Sequence, residues 1–196
     1  MDGRRERGDR SRKLIERRAA ELASLVGLEG VSLGLLARDL GMPKSSIATL
    51  YGSTLELQLA SVATAIGIFA EQVVEPAATA APGRKRLVTL VDAWIEYVRR
   101  PVFPGGCFMV ATAAEFDSHP GPVRDALAQA RRDWLGLLAA QVAKAQIDGH
   151  LVGLPPDLVA FEIDAVLASA CVTANLLDDP TALDGARRII GYRLET

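Results

Sequence analysis

The sequence predicts an all-α fold of about nine helices, on three observations. Apolar residues recur at three- and four-residue spacing along most of the 196 residues. No stretch alternates apolar and polar residues for long enough to form a strand, and the glycines and prolines cluster between the apolar runs, where helix ends need them. With 49% apolar and 23% charged residues the chain can bury a sizeable core, and aromatics make up only 5%.

Residues 1–9, MDGRRERGD, are polar and contain glycine, and they read as a disordered basic segment, either an arm whose Arg4, Arg5 and Arg7 reach a phosphate backbone or minor groove or a solubilising tail. A first helix, Arg10 to Val26, carries Ile15, Ala19, Leu22 and Val26 as a stripe, and Gly27-Leu28-Glu29-Gly30 closes it. Ser32 is a good N-cap for a second helix whose Leu33, Leu36, Ala37 and Leu40 share a face. Gly41 supplies the left-handed residue that ends it, and Pro43 suits the first turn of a third helix running to Leu50. That connection has the length of a helix-turn-helix. Ile47, Leu50 and Tyr51 point one way, leaving Lys44, Ser45, Ser46 and Thr49 as an outer face that is small, polar and cationic. A face of this kind can enter a major groove and hydrogen-bond to phosphates and base edges. Ser53-Thr54-Leu55-Glu56 is a capping box that opens a long fourth helix, to about Val74, with Leu57, Ala60, Ala63 or Thr64, and Ile68 on one side.

Glu75 to Pro82 reads as a connection. A fifth helix, Gly83 to Arg100, turns Leu87, Leu90, Val91, Trp94, Ile95 and Val98 inward, and the run Pro101 to Gly106 breaks it. A short sixth helix spans Cys107 to Asp117, and a seventh Pro120 to Ala145. The eighth, Pro156 to Leu177, is apolar nearly all round after Asp164, so it must be buried on more than one side. The simplest way is contact with a second copy of the chain. A ninth helix, Thr181 to Arg193, places Leu183, Ala186, Ile190 and Leu194 together. The last two helices can therefore form a four-helix interface across a two-fold axis, through Phe161, Val172, Leu176 and Ile190.

The net charge is −2, but residues 1–18 hold eight Lys/Arg against four Asp/Glu, so positive charge gathers at the N-terminus. Cys107 and Cys171 have no metal-ligand spacing and fit a reduced, cytoplasmic compartment. No secretory or membrane-spanning segment is expected. His119 and His150 sit in loops with no carboxylate or cysteine at catalytic spacing, and no phosphate-binding or nucleophile motif is present. Neither an enzyme nor a cofactor is expected.

The whole layout resembles the TetR family of one-component transcriptional regulators. The residues that carry the resemblance are Ser32 ahead of the second helix, Ala37 and Gly41, Lys44-Ser45-Ser46-Ile47 in the recognition helix, Tyr51, and Ser53 opening the connecting helix. Ala48 stands where the family usually has Tyr, and Thr54 where it usually has Lys; both usual residues contact phosphate. The resemblance implies a DNA-binding domain over 1–55 and a ligand-binding and dimerisation domain over 56–196, with Arg4, Arg5, Ser32, Lys44, Ser45, Ser46, Thr49, Tyr51 and Thr54 at DNA. It also implies a pocket for a small apolar or aromatic effector between the later helices, lined by Trp94, Tyr97, Phe103, Phe108, Met109, Thr112, Phe116, Trp134 and Leu138. Asp92, Glu115, Asp164 and Asn175 are polar residues near apolar faces, open either to orienting such a ligand or to solvent-facing and helix-end roles. The expected function is a homodimeric repressor of a palindromic double-stranded DNA operator, released by the effector. The alternative is a helical small-molecule-binding or dimeric protein whose head lacks specific DNA binding.

Overall fold

The computed structural model describes residues 2–195, and the side chains of residues 2–7 and 9, Arg4 and Arg5 among them, lie outside the description. Among the described residues the regular structure is wholly helical: α1 (Asp2–Val26), α2 (Leu33–Asp39), α3 (Lys44–Tyr51), α4 (Thr54–Ala78), α5 (Arg84–Arg99), α6 (Phe108–Phe116), α7 (Pro122–Ile147), α8 (Pro156–Leu176) and α9 (Thr181–Glu195). These form two compact units, Met1–Gly67 with Phe103–Leu127 and Ile68–Val102 with Ala128–Thr196. The boundary falls inside α4 and inside α7.

In the first unit α1 begins at Asp2, well before the expected Arg10. Residues 2–9 contain no proline, and two glycines lower helix propensity without ending a helix. Ile15, Ala19 and Leu22 are buried as their spacing requires, but Val26 is exposed and Ala23 takes the inward place one turn after Ala19. The Ser32 hydroxyl caps α2 by accepting from the Leu35 N–H at 3.1 Å. Gly41, at φ +62°, lets the chain double back so that the Met42 N–H reaches the Ala37 carbonyl at 2.9 Å. Ile47 and Tyr51 are then buried, and the Tyr51 hydroxyl lies against α1, 3.2 Å from Glu16 Oε1. Arg18 ties α1 to α2 through a two-pronged contact with Asp39, Nε to Oδ2 at 2.6 Å and Nη2 to Oδ1 at 2.9 Å.

α4 is one rod from Thr54 to Ala78, with a π turn at Ala70–Val74 and a last α turn at Glu75–Ala78. The helix therefore outruns its expected end at Val74. Pro76 has no N–H and its ring crowds the carbonyl four residues back, and the wider π turn just before it relieves that conflict. The buried positions are Leu57, as expected, then Ser61, Val62, Ala65, Val73 and Ala77, rather than the expected Ala60, Ala63 or Thr64, and Ile68. By length and composition α4 is long and apolar enough to cross a membrane, a test that the core helix of a soluble protein also passes, and 33% of its most apolar window is buried.

In the second unit α5 buries Leu87, Leu90, Val91, Trp94, Ile95 and Val98, and α9 buries Leu183, Ala186, Ile190 and Leu194. α9 packs on α8 and on α5. Arg187 reaches Asp92 at 2.7 Å, Arg99 pairs with Asp184, and Arg193 meets Glu162 at 3.0 Å, so charged pairs border both seams. The Gly83 N–H that opens α5 donates to the buried Gln141 Oε1 at 3.1 Å.

The Arg18 guanidinium hydrogen-bonded to Asp39 holds that carboxyl below its ordinary value. A carboxyl depressed in the folded state adds stability that is complete above its unfolded value, about 3.9, and is lost as pH falls through the folded value. Asp39→Ala should therefore lower stability by about 1 kcal/mol at neutral pH, a small figure because water screens the pair. The deficit should shrink below about pH 4 in acid-unfolding curves of variant and wild type.

Candidate functional site

Two sets of residues in the first unit have surface chemistry to offer. On α3, Lys44, Ser45, Ser46 and Thr49 are exposed, as expected, while Ile47 and Tyr51 fill the core behind them. The Thr49 hydroxyl donates to the Ser45 carbonyl at 2.8 Å, which leaves its oxygen outward. Ser32 is exposed but its Oγ accepts the α2 cap bond, and Thr54 is exposed at the first turn of α4. Tyr51 departs from the expected surface set. It is only 2% exposed, and its hydroxyl lies against α1, 3.3 Å from the Arg12 carbonyl as well as beside Glu16. Burial and the neighbouring Glu16 charge push its ionisation well above the ordinary range for a phenol. Tyr51 thus holds α3 in place and does not present its hydroxyl to a ligand.

Nothing in the spacing or composition of the chain singles out Arg12. Its guanidinium lies over the Tyr51 ring, 5.3 Å from the centroid, and donates to the Leu50 carbonyl at 3.3 Å. A cation at a helix C-terminus is favoured by the exposed carbonyls there. The basic end of α1 and the C-terminal end of α3 therefore share one exposed edge.

The residues expected around an effector divide between the units. In the second unit Phe69 stands edge-on to both Tyr97 and Trp134, with centroids 5.7 and 5.2 Å away. Trp94 and Leu138 are buried in the same unit. Asp164 lies nearly buried beside this cluster; its Oδ1 accepts from the Trp134 indole N–H at 3.0 Å and its Oδ2 from Arg131. In the first unit Phe103 and Phe108 pack ring against ring at 5.9 Å, the Thr112 hydroxyl donates to the Phe108 carbonyl, Phe116 is buried, and Met109 is half-buried. All of the four polar residues expected to orient a ligand have partners within the chain. Asp92 meets Arg187, Asp164 meets Trp134 and Arg131, the Asn175 amide approaches Cys171 Sγ at 3.8 Å, and Glu115 accepts from the Leu28 and Glu29 N–H groups. The first three satisfy their own unit's core and borders.

α8 and α9 also carry an exposed apolar face. Leu158, Phe161, Val172 and Leu176 on α8 and Ile189 and Tyr192 on α9 are all at least half exposed. Ile190, expected on this face, is instead 2% exposed in the unit's own core, because its spacing with Leu183, Ala186 and Leu194 is what seats α9 on α8 and α5. Its neighbour Ile189 takes the outward position.

A family model described as the C-terminal domain of tetracycline-repressor-like proteins matches residues 83–190. Among solved structures, a TetR transcriptional regulator from Chloroflexus aurantiacus is 22% identical with a TM-score of 0.89, covering 97% of both chains. A TetR-family regulator from Agrobacterium tumefaciens is 16% identical with a TM-score of 0.84, covering 94% of this chain and 98% of its own. AibR, solved in complex with isovaleryl coenzyme A and operator DNA, is 19% identical with a TM-score of 0.72, covering 91% of this chain and 96% of its own. No curated protein matches the chain.

Removing Arg131 would leave the Asp164 carboxylate nearly buried with the indole as its remaining partner. Arg131→Ala should cost about 2 kcal/mol at neutral pH, as for other buried charges left under-partnered. Arg131→Ala/Asp164→Asn should recover part of the loss in thermal unfolding at pH 7.

Proposed function

Because the chain belongs to the TetR family of transcriptional regulators, we propose that it is a homodimeric repressor that binds a palindromic operator in double-stranded DNA and leaves it when a small apolar or aromatic molecule binds. The observation that carries this reading is the outer face of α3. Lys44, Ser45, Ser46 and Thr49 are exposed together on a short helix behind a tight turn, and that face is small enough for a major groove and cationic enough for its phosphates. Its compartment in this reading is the cytoplasm.

The dimer rests on the exposed face of α8 and α9. A 21-residue helix is about 31 Å long, and an apolar stripe of that length is larger than monomers ordinarily leave in water. A second copy covers it with the same residues, as a two-fold interface does. The two recognition helices then enter successive major grooves when they sit about 34–36 Å apart. The effector reading rests on Phe69, Tyr97 and Trp134, which offer aromatic faces and edges within the second unit. AibR, with the same fold, holds an acyl coenzyme A and operator DNA in one structure, which supports paired DNA and effector sites here. Coupling between such sites is typically about 1–3 kcal/mol and must be reciprocal.

The deciding experiment is selection of bound duplexes from random-sequence DNA by the purified protein. An enriched inverted repeat is expected; a pool that stays random would favour a dimeric effector-binding protein whose head lacks specific DNA binding. Lys44→Ala should weaken selected and random duplexes alike and make the salt dependence shallower by about one counterion per protomer, because a phosphate contact carries no sequence information. Ile189→Asp should convert dimer to monomer in sedimentation while leaving the fold intact. Ile190→Asp, by contrast, should unfold the second unit, since it buries an unpaired charge. A reversal of those two outcomes would overturn the interface.

A further inference from the structure

The turn between α1 and α2 is held in an unusual way. After α1 ends at Val26, the chain passes through Gly27 at φ +79°, and the next two N–H groups have no helical carbonyl to meet. Both are taken by one side chain from far along the sequence. Glu115, on α6, accepts from the Leu28 N–H with Oε2 at 2.7 Å and from the Glu29 N–H with Oε1 at 2.6 Å. Hydrogen bonds to an ionised carboxylate are about twice as strong as neutral ones. The fit leaves no room: a Cβ on Gly27 would lie 2.9 Å from Glu115 Oε1. The carbonyl of Leu28 faces the other way and accepts from Gln58 Nε2 on α4 at 3.1 Å. One turn is thus gripped by α6 through its amides and by α4 through its carbonyl.

Two further contacts fasten the segment leading into α6 onto the same helix α1. The Gly105 N–H donates to Ser24 Oγ at 3.0 Å, and a Cβ at Gly105 would fall 1.8 Å from the Ser24 carbonyl oxygen, so only glycine fits. Earlier on α1, the Arg17 guanidinium lies over the Phe103 ring at 5.2 Å. The order of contacts, Arg17 with Phe103, Ser24 with Gly105, then Gly27 to Glu29 with Glu115, runs along α1 to the point where the helix-turn-helix begins. Val31 and the Ser32 cap follow directly.

We propose that Glu115 is the positioning residue through which α6 sets the helix-turn-helix, so that a displacement of α6 reaches α2 and α3 through the α1–α2 turn and not only along α4. This rests on the DNA-binding reading above. A carboxylate beside the C-terminal end of a helix opposes the exposed carbonyls there, so its place is not explained by stabilising α1. It is explained by the two amides it orders. A merely structural clamp would change stability; a positioning residue changes where the recognition helix sits at nearly constant stability.

The test uses the full-length protein, a duplex selected from random DNA by the wild type, and amide exchange at Leu28 and Glu29. Glu115→Gln keeps the shape but loses one acceptor. It should speed exchange at both amides at least tenfold and weaken the selected duplex about tenfold. Its salt dependence should be unchanged, since no phosphate contact is lost, and its unfolding temperature should fall by only a few degrees. Gly105→Ala, which pushes α6 from its other end, should weaken DNA binding in the wild-type background but add nothing to Glu115→Gln. Ser24→Ala replaces it if Gly105→Ala does not fold. If the two losses instead multiply, or if Glu115→Gln binds DNA as the wild type does, the proposal is overturned. Failure to select any duplex would overturn the DNA-binding reading itself. The exchange rates need no DNA and would still decide the proposal: faster exchange on loosening residue 105 only while Glu115 is present supports it, and unchanged exchange overturns it.

Discussion

A head of one long and two short helices cannot bury enough apolar surface to hold itself together, and the first unit is built around that constraint. Domains of this size leave a large share of their surface in water and need added support. Here the support is a return visit by the chain: residues 103–127 come back to α1 and complete the unit with Phe103, Phe108 and Phe116. The close approach at Gly105 and the two amide bonds of Glu115 follow from this need, because a segment arriving from far along the sequence must be fastened at points where backbone meets backbone or charge meets amide. The outer face of α3 can then consist of small polar residues, since none of them has to hold the head together.

The polar chemistry of the second unit follows a related logic. Asp164 is nearly buried, yet each of its oxygens has a donor, and no described buried side-chain polar atom lacks a partner. A buried carboxylate with fixed donors also fixes those donors, so the Trp134 indole is held in one orientation against Phe69. A rigid aromatic edge of that kind is a better surface for a flat or branched apolar molecule than a loose one, because less freedom is lost when the molecule arrives.

Most of the fold could be read from the sequence, because helix ends and apolar stripes are local. The caps at Ser32 and Ser53, the Gly41 turn and the inward residues of α5 and α9 all depend on neighbours within a few positions. What the sequence hid was everything set by partners far away. Glu115 looks like any acid near the end of a short helix until Leu28 and Glu29, some 86 residues earlier, come to rest against it. Arg12 reads as one of many N-terminal cations until the Tyr51 ring lies beneath it. Ile190 and Ile189 are adjacent and equally apolar; only the packed unit decides which faces out. The inner side of α4 was misplaced for a different reason, which lies in its own geometry.

The buried residues of α4 include Leu57, Ser61, Ala65, Val73 and Ala77, all at multiples of four. In an α-helix each residue advances about 100°, so a strict step of four overshoots a full turn by about 40° and the buried line winds around the rod. Four such steps separate Leu57 from Val73, enough to carry that line nearly to the opposite side. The π turn at Ala70–Val74, which contains Val73, holds one residue more than an α turn would, and so sets the phase back by about 100° by the time Ala77 is reached. The extra residue is thus what keeps one inner side along a helix that serves two cores. Deleting any single residue between 70 and 74 would restore an ordinary helix and leave everything after it in its present phase, while the same deletion between 58 and 69 would swing everything after it by about 100°.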